Sequence, residues 1–170
     1  MSMKGFSIKT EIEEYDTFEQ YAAQAGLGPE DLVLCGEHTY DKYVAPLSLG
    51  TQTLFREKYG KGEPTDGMVD AILDALREKE FNRIIAIGGG TVVDIAKVVA
   101  VAGKEDKVDD LYDHVDSLKK VHPLVIIPTT CGTGSEVTNI SVINRVSKGV
   151  KMGLASNGML ADKAVMITDM

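Results

Sequence analysis

Tryptophan is absent from the 170-residue sequence, cysteine occurs only twice, and no apolar run approaches the length of a membrane span. A spanning helix needs about 20 predominantly apolar residues, and the N-terminus lacks the pattern of a secretory signal. We therefore expect a cytoplasmic protein with no membrane partner. Cys35 and Cys131 do not have the spacing of a zinc or haem site, which favours reduced thiols.

Basic residues are also few. The chain has 18 lysines and arginines against 26 acidic residues, which gives a formal net charge of −8. Proteins that bind nucleic acid usually present a basic face to the phosphate backbone. This balance therefore argues against nucleic acid as the main partner.

The chain does contain enough apolar sequence for one folded domain, which we place at residues 1–170. Strand-like and helix-like segments alternate, which predicts an α/β fold: a Rossmann-like, mostly parallel sheet with helices on both faces and a β-hairpin. The predicted strands of the sheet are Gly5–Lys9, Asp31–Cys35, Thr53–Arg56, Arg83–Ile87, Leu124–Ile127 and Ala164–Thr168. The predicted helices are Asp16–Ala25, Thr65–Lys79 and Thr91–Val101, and the hairpin strands are Asn139–Asn144 and Val150–Ala155.

Acidic residues dominate Glu105–Asp116. Charge runs are usually solvated, so we interpret this segment as an exposed connection rather than as a packed element.

A first glycine loop, Gly88-Gly89-Gly90-Thr91, follows an apolar strand and opens a helix. Glycines let the backbone approach a ligand closely, and a helix N-terminus attracts phosphate. The spacing matches neither the dinucleotide fingerprint nor the P-loop. Asp94, on the first turns of the helix, has two open interpretations: a ligand-site residue or a residue that stabilises the helix dipole. We expect Lys97 on the domain surface rather than against a ligand.

A second loop, Pro128–Thr138, also follows an apolar strand and is rich in threonine. Hydroxyls and glycine N–H groups at the end of a parallel strand suit ribose, phosphate and amide contacts. The alternative is an ordinary turn with Ser/Thr capping. Cys131 lies in this loop, but no histidine is adjacent in sequence to act as its base, which disfavours a thiol nucleophile.

Glu37 follows the strand Asp31–Cys35. An acidic side chain just past a strand end accepts hydrogen bonds from the adenosine ribose and repels a 2′-phosphate, which favours NAD over NADP. However, Glu37 precedes the glycine loop instead of following it by about twenty residues, as in a standard Rossmann unit. From the residues alone, this assignment stays open.

Two stretches resemble the signatures of a known family. GGGTVVDIAK (Gly88–Lys97) and PTTCGTGSEVTNISVI (Pro128–Ile143) resemble the two N-domain signatures of the iron-containing, group III, alcohol dehydrogenases. The stretch from Glu57 to Gly90 looks closest to the 4-hydroxybutyrate dehydrogenase branch. The resemblance covers nearly the whole chain, and the second signature is highly specific, because dehydroquinate synthase and glycerol dehydrogenase differ there.

The resemblance implies oxidation of a small alcohol to an aldehyde by NAD, or less readily NADP, with a divalent metal polarising the alcohol oxygen. Glu37 matches the family's acidic residue on the adenosine ribose. Gly89, Gly90 and Thr91 match the pyrophosphate loop, with Thr91 in place of the commoner serine. The other matching cofactor positions are Asp94, Thr129, Thr130, Thr133, Thr138, Val142 and Lys151.

The family's metal ligands, one aspartate and three histidines, come from a helical C-terminal domain that begins after the strand matching Ala164–Asp169. The resemblance therefore implies that this helical metal-binding domain is absent here. His38, His114 and His122 precede the family's ligand positions, and none shows a helical i, i+4 pairing. We expect neither a catalytic residue nor a metal ligand in this chain.

The expected function is that of the NAD-binding domain of a metal-dependent alcohol dehydrogenase, inactive by itself. The parent reaction is reversible hydride transfer between NAD and a primary alcohol, with 4-hydroxybutyrate as the candidate. A non-catalytic nucleotide-binding module and an assembly piece without nucleotide affinity remain the alternatives. A face left without its partner domain should be apolar and should promote association, so we expect a homo-oligomer.

Overall fold

The central strands of the sheet are buried on both faces. β2 (Asp31–Cys35) is buried along its whole length, β4 (Arg83–Gly88) after its first residue, and β5 (Leu124–Pro128) up to its last. Strands of this kind need cover on both faces, which parallel sheets with crossover helices provide. The computed structural model, which describes residues 8–170, shows this arrangement.

Six strands form one sheet in the order β1-β8-β5-β4-β2-β3, and every neighbouring pair is parallel. The remaining sheet strands are β1 (Glu11–Tyr15), β3 (Gln52–Phe55) and β8 (Lys163–Ile167). The helices are α1 (Phe18–Ala25), α2 (Glu37–Thr39), α3 (Asp66–Leu76), α4 (Gly90–Val101) and α5 (Val108–Asp113). β6 (Ile140–Arg145) and β7 (Val150–Ala155) form a separate antiparallel hairpin.

Alternate residues of the strands enter two separate cores. Leu32 and Leu34 of β2 belong to a core with α3, α4 and α5, whereas Val33 and Cys35 belong to one with α1 and the segment 37–47. The predicted α/β fold, with helices on both faces and a hairpin, is therefore confirmed.

The start of α3 follows local sequence rules. The Thr65 hydroxyl accepts a hydrogen bond from the Met68 N–H at 3.2 Å and so caps the helix. Val69, Ile72 and Leu76 are buried on one face. The helix ends at Leu76, three residues before the predicted end at Lys79.

Asp66 of α3 anchors the hairpin. Its carboxylate accepts hydrogen bonds from the Val146 N–H at 3.2 Å and from the N–H and hydroxyl of Ser147 at 3.0 and 2.5 Å. Ser141, buried on β6, donates to the Asp94 carbonyl oxygen of α4 at 2.9 Å. The hairpin is thereby fixed to two helices on one side of the sheet.

The first strand differs from the prediction. Most of the predicted strand Gly5–Lys9 lies outside the described residues, Ile8 and Lys9 belong to no strand, and β1 is Glu11–Tyr15. β1 is an exposed edge strand with acidic side chains, which conceal its strand character in the sequence. Lys163 of the neighbouring β8 forms ion pairs with Glu11 and Glu13 and offsets their charge.

The interpretation of Glu105–Asp116 as a solvated connection is wrong. The segment contains α5, and its Val108 and Leu111 are 0% and 1% exposed. The acidic residues occupy the outer side of the helix, while these apolar residues pack into the core beneath α3 and α4. The segment 37–47, which contains helical turns, was also not predicted.

No helix within residues 8–170 is both long and apolar enough to cross a membrane.

Replacing Leu111 by alanine should lower the free energy of unfolding by about 2–5 kcal/mol, because a buried leucine leaves a cavity when it is truncated. Urea denaturation followed by circular dichroism measures the change. Asp113→Ala, at an exposed position of the same helix, is the control and should change stability by no more than about 0.5 kcal/mol. Equal losses in the two variants would mean that α5 is not a packed element.

Candidate functional site

The carboxyl ends of β2, β4 and β5 lie side by side. The register pairs Cys35 with Ile87 and Gly88 with Pro128, so the three strands end at one edge of the sheet. β3 lies on one side of β2 and β4 on the other, so the strand order reverses between β2 and β4. In open α/β sheets, ligands bind outside the strand ends at such a reversal.

The first glycine loop leads directly from β4 into α4. A Cβ on Gly88 would lie 2.7 Å from Val92 Cγ2, so only glycine lets the strand approach the helix this closely. Gly89 is the N-cap of α4 and provides no side-chain cap, and a Cβ on Gly90 would meet no atom within 4 Å. The first N–H groups of α4 therefore have no side-chain cap, as in sites that bind phosphate.

The second loop touches the first. The Thr129 N–H donates to the Gly88 carbonyl oxygen at 3.2 Å, and a Cβ on Gly89 would lie 3.2 Å from Thr130 Oγ1. The predicted residues Gly89, Gly90, Thr129 and Thr130 thus come together. Thr91 lies at the start of α4, where its hydroxyl donates to the Gly62 carbonyl oxygen at 3.4 Å.

The outer part of the second loop turns through glycine. Gly132 and Gly134 have φ of +100° and +63°, values that favour glycine. The Ser135 N–H donates to Thr133 Oγ1 at 3.3 Å, and the Thr138 hydroxyl donates to the Ser135 carbonyl oxygen at 3.3 Å. Thr133 and Thr138 therefore shape the loop through internal hydrogen bonds.

Asp94 connects α4 to the hairpin. Burial raises the pKa of its carboxyl group, and the Val142 N–H, Lys97 and Lys151 partly offset that rise. Two predicted hairpin residues, Val142 and Lys151, therefore lie close enough to influence Asp94. Lys151 also donates to Glu63 Oε1 at 2.7 Å.

The placement of Lys97 on the domain surface is wrong. The residue is 0% exposed, and its ammonium group donates to Thr138 Oγ1 at 3.0 Å and to the Ile140 carbonyl oxygen at 2.8 Å. Burial lowers the pKa of Lys97 from 10.5 to about 8. The side chain therefore lies beneath the second loop and does not reach solvent.

Glu37 is exposed and begins α2, immediately beyond the end of β2. The structure adds a second carboxylate, from Glu57, that the sequence analysis missed: a Cβ on Gly36 would lie 2.6 Å from Glu57 Oε1. The sequence contains a signal for Glu57, because it follows one predicted strand just as Glu37 follows another. In the structure Cys35 pairs with Phe55, and each glutamate lies two residues after its paired position. Two acidic groups therefore flank this end of the site.

The profile of the family described as iron-containing alcohol dehydrogenase matches residues 10–168. The chain belongs to the iron-containing alcohol dehydrogenase family. The match confirms the resemblance carried by the two glycine loops.

Relatives in this family are longer than the chain. The 4-hydroxybutyrate dehydrogenase of Clostridium kluyveri is 38% identical over 167 residues, which are 98% of this chain and 45% of that protein. The NAD-dependent methanol dehydrogenase of Bacillus methanolicus is 38% identical over 92 residues, which are 53% of this chain and 24% of that protein.

Solved structures show the same fold. The sulfoacetaldehyde reductase of Bifidobacterium kashiwanohense, in complex with NAD+, superposes with a TM-score of 0.80 at 22% identity, over 99% of this chain and 47% of that one. An iron-containing alcohol dehydrogenase of Thermotoga maritima superposes with a TM-score of 0.75 at 28% identity, over 96% of this chain and 47% of that one. The chain thus spans about half the length of these proteins.

The described residues do not offer a set of ligands for the iron that the family's name implies. Within residues 8–170, no group of three or more His, Cys, Asp or Glu side chains is placed to hold a metal ion. His122 stacks on Phe81 with ring centroids 4.4 Å apart, and His114 Nδ1 lies 3.0 Å from the Asp110 carbonyl oxygen. These contacts belong to separate parts of the fold, so the two histidines do not share a site.

Two glycines of the first loop differ in the space that surrounds them. Gly88→Ala should lower the free energy of unfolding by about 1–3 kcal/mol, because the new methyl group overlaps Val92. Gly90→Ala meets no neighbour and should leave stability unchanged or raise it by up to about 1 kcal/mol. Thermal and urea unfolding compare the two variants. If both lose stability equally, the close approach of β4 to α4 at Gly88 is incorrect.

Proposed function

We propose that residues 1–170 form the NAD-binding domain of an iron-containing alcohol dehydrogenase. The observation that carries the proposal is the junction of the two glycine loops at the uncapped start of α4, where Thr129 is hydrogen bonded to Gly88. N–H groups there can bind a pyrophosphate without a basic side chain, which agrees with the net charge of −8. The NAD complex of the similar reductase supports the same ligand.

The dinucleotide would lie along the edge of the sheet. Its pyrophosphate would bind at Gly89, Gly90 and Thr91, where the backbone is open. Its adenosine ribose would lie at Glu37, beyond the end of β2.

The nicotinamide half would extend toward the second loop and the hairpin. The residues assigned to this half are Asp94, Thr129, Thr130, Thr133, Thr138, Val142 and Lys151. Lys151 would exchange its contact with Glu63 for one with ribose hydroxyls, which both side chains permit because they are about half exposed. The nicotinamide ring, when bound, accepts or donates a hydride.

The proposed parent reaction is reversible hydride transfer between NAD and a primary alcohol, with 4-hydroxybutyrate as the candidate. The support is the 38% identity to the Clostridium kluyveri 4-hydroxybutyrate dehydrogenase over 98% of this chain. The chain spans 45% of that protein, so the proposal for residues 1–170 is cofactor binding, and turnover would need groups beyond those described. Homo-oligomeric assembly and a cytoplasmic location stay predictions.

A second candidate, a nucleotide-binding module that does not catalyse a reaction, follows from a separate observation. The described residues contain no cluster that could hold a metal, and the chemistry of the family depends on one. Saturable NAD binding without turnover, even after a helical metal-binding domain of a relative is added, would favour this candidate.

Isothermal titration calorimetry should detect weak binding of NAD and weaker binding of NADP. The carboxylates of Glu37 and Glu57 would accept hydrogen bonds from a ribose but would face the 2′-phosphate of NADP with like charge. A difference of about 1.4 kcal/mol corresponds to a tenfold preference. Glu37→Ser and Glu57→Gln should each reduce the difference in affinity between NAD and NADP. Glu30→Gln, at the opposite end of β2, is the matched control and should leave the ratio unchanged.

Gly90→Val tests the pyrophosphate end in the same titrations. The isopropyl group would occupy the space in front of the α4 N-terminus, so affinity for both dinucleotides should fall below detection. Unmodified protein that binds neither dinucleotide would reject the proposed function. Equal affinities for NAD and NADP that Glu37→Ser leaves unchanged would instead show that the adenosine end is misplaced.

Purified protein should contain less than stoichiometric iron and zinc and should produce no NADH from 4-hydroxybutyrate. The reason is that His38, His114 and His122 do not converge on one site. Elemental analysis by mass spectrometry and absorbance at the NADH band measure both properties. One tightly bound metal per chain, lost when two of these histidines are replaced, would contradict the expectation.

A further inference from the structure

Lys97 is a buried cation without an acidic partner in contact. None of the ion pairs within 4.0 Å in residues 8–170 includes it, although it is 0% exposed. Burying an ammonium group is costly unless its charge is compensated, and its two acceptors here are a hydroxyl and a carbonyl oxygen. An apolar residue would fill this place in α4 at a lower cost, so the charge calls for a role beyond packing.

Both acceptors lie where the second loop meets the hairpin. Lys97 holds Thr138, the last residue of that loop, and Ile140, the first residue of β6. The Thr138 hydroxyl in turn donates to the Ser135 carbonyl oxygen at 3.3 Å, and the Ser135 N–H donates to Thr133 Oγ1 at 3.3 Å. One ammonium group thus begins a chain of hydrogen bonds that runs back through the loop.

We propose that Lys97 is a positioning residue for dinucleotide binding, which clamps the second loop to α4 so that its threonines face the first glycine loop. The proposal rests on the proposed function, because the shaped loop is the one assigned to the nicotinamide half of NAD. Lys97 itself does not touch the ligand, since it has no exposed surface. It acts through Thr138 and the order of the loop.

The protonation of Lys97 gives the clamp a dependence on pH. The acidic groups that act on it are Asp94 from α4 and Glu136 from the turn before Thr138, and both favour the charged form, but burial outweighs them. The pKa is lowered to about 8, so the ammonium group becomes neutral as the pH rises through that value. Its hydrogen bonds then lose the assistance of charge and weaken.

The same titration acts on folding with the opposite sign. A lysine whose pKa is lowered in the folded state binds fewer protons there than in the unfolded chain between pH 8 and its ordinary value of 10.5. Stability therefore rises with pH in this window through Lys97, while the clamp weakens. If Lys97 served only to stabilise the fold, the order of the second loop would follow the stability of the protein as the pH rises, and would not decrease while stability increases.

The test compares Lys97→Met with the unmodified protein. Methionine has a similar shape but neither charge nor donor. Lys104→Met removes an exposed lysine just beyond α4 and is the matched control. Amide hydrogen exchange of residues 129–140 is measured without nucleotide, and NAD affinity is measured by calorimetry between pH 7 and 9.5.

Lys97→Met should fold with unchanged or increased stability, exchange the amides of the second loop several-fold faster, and bind NAD roughly fivefold more weakly at pH 7, about the effect of one lost hydrogen bond. The affinity of the unmodified protein should fall from pH 7 to 9.5, whereas that of Lys97→Met should stay level. Lys104→Met should behave like the unmodified protein.

Unchanged exchange of the loop in Lys97→Met would overturn the clamp, whether or not NAD binds, so its failure is separate from failure of the proposed function. If Lys97→Met does not fold, the pH profile of the unmodified protein decides. A level NAD affinity through pH 8, with no increase in loop exchange relative to the rest of the protein, would overturn the proposal.

Discussion

The parallel pairing of β4 with β2 and β5 is the constraint on which the rest of the structure depends. Alternate residues of these strands enter two different cores, so a shift of one residue would send every apolar side chain to the wrong face. The register that avoids this also brings Gly36, Gly88 and Pro128 to one edge. The strand ends that form the candidate site are therefore aligned because the cores on both sides of the sheet must be filled. The hydrogen bond from Thr129 to Gly88 extends the same ladder into the loops.

α4 joins this sheet edge to the parts of the site that lie outside the sheet. Its first residues present free N–H groups, its apolar side packs on the strands, and its remaining side holds the hairpin through Asp94 and the second loop through Lys97. The hairpin is also tied to α3 by Asp66. Because each tie ends on a helix that itself packs against the sheet, the loops are located by the rigid part of the fold.

The strands of the sheet were predictable wherever burial makes the sequence continuously apolar, as in Asp31–Cys35, which the structure reproduces residue for residue. α5 was missed because acidic residues outnumber the apolar ones in the segment Glu105–Asp116, although Val108, Leu111 and Val115 have helical spacing. The role of Lys97 had no local signal, since its partners lie 41 and 43 residues away along the chain. Local patterns predict elements, whereas a buried polar contact between distant segments depends on how those elements pack.

The overall charge of −8 opposes an anionic ligand, so binding must depend on groups that act at short range. Exposed acids are screened over about 8 Å at physiological ionic strength. In the proposed site, the N–H groups of α4 would act directly on a bound phosphate, whereas the buried Lys97 would act through its hydrogen bond to Thr138 of the second loop. Glu37 and Glu57, in turn, influence only what lies next to them at the end of β2. The same short range would let this acidic protein bind a pyrophosphate at the proposed site, and it would let the two carboxylates discriminate between a ribose and its phosphorylated form.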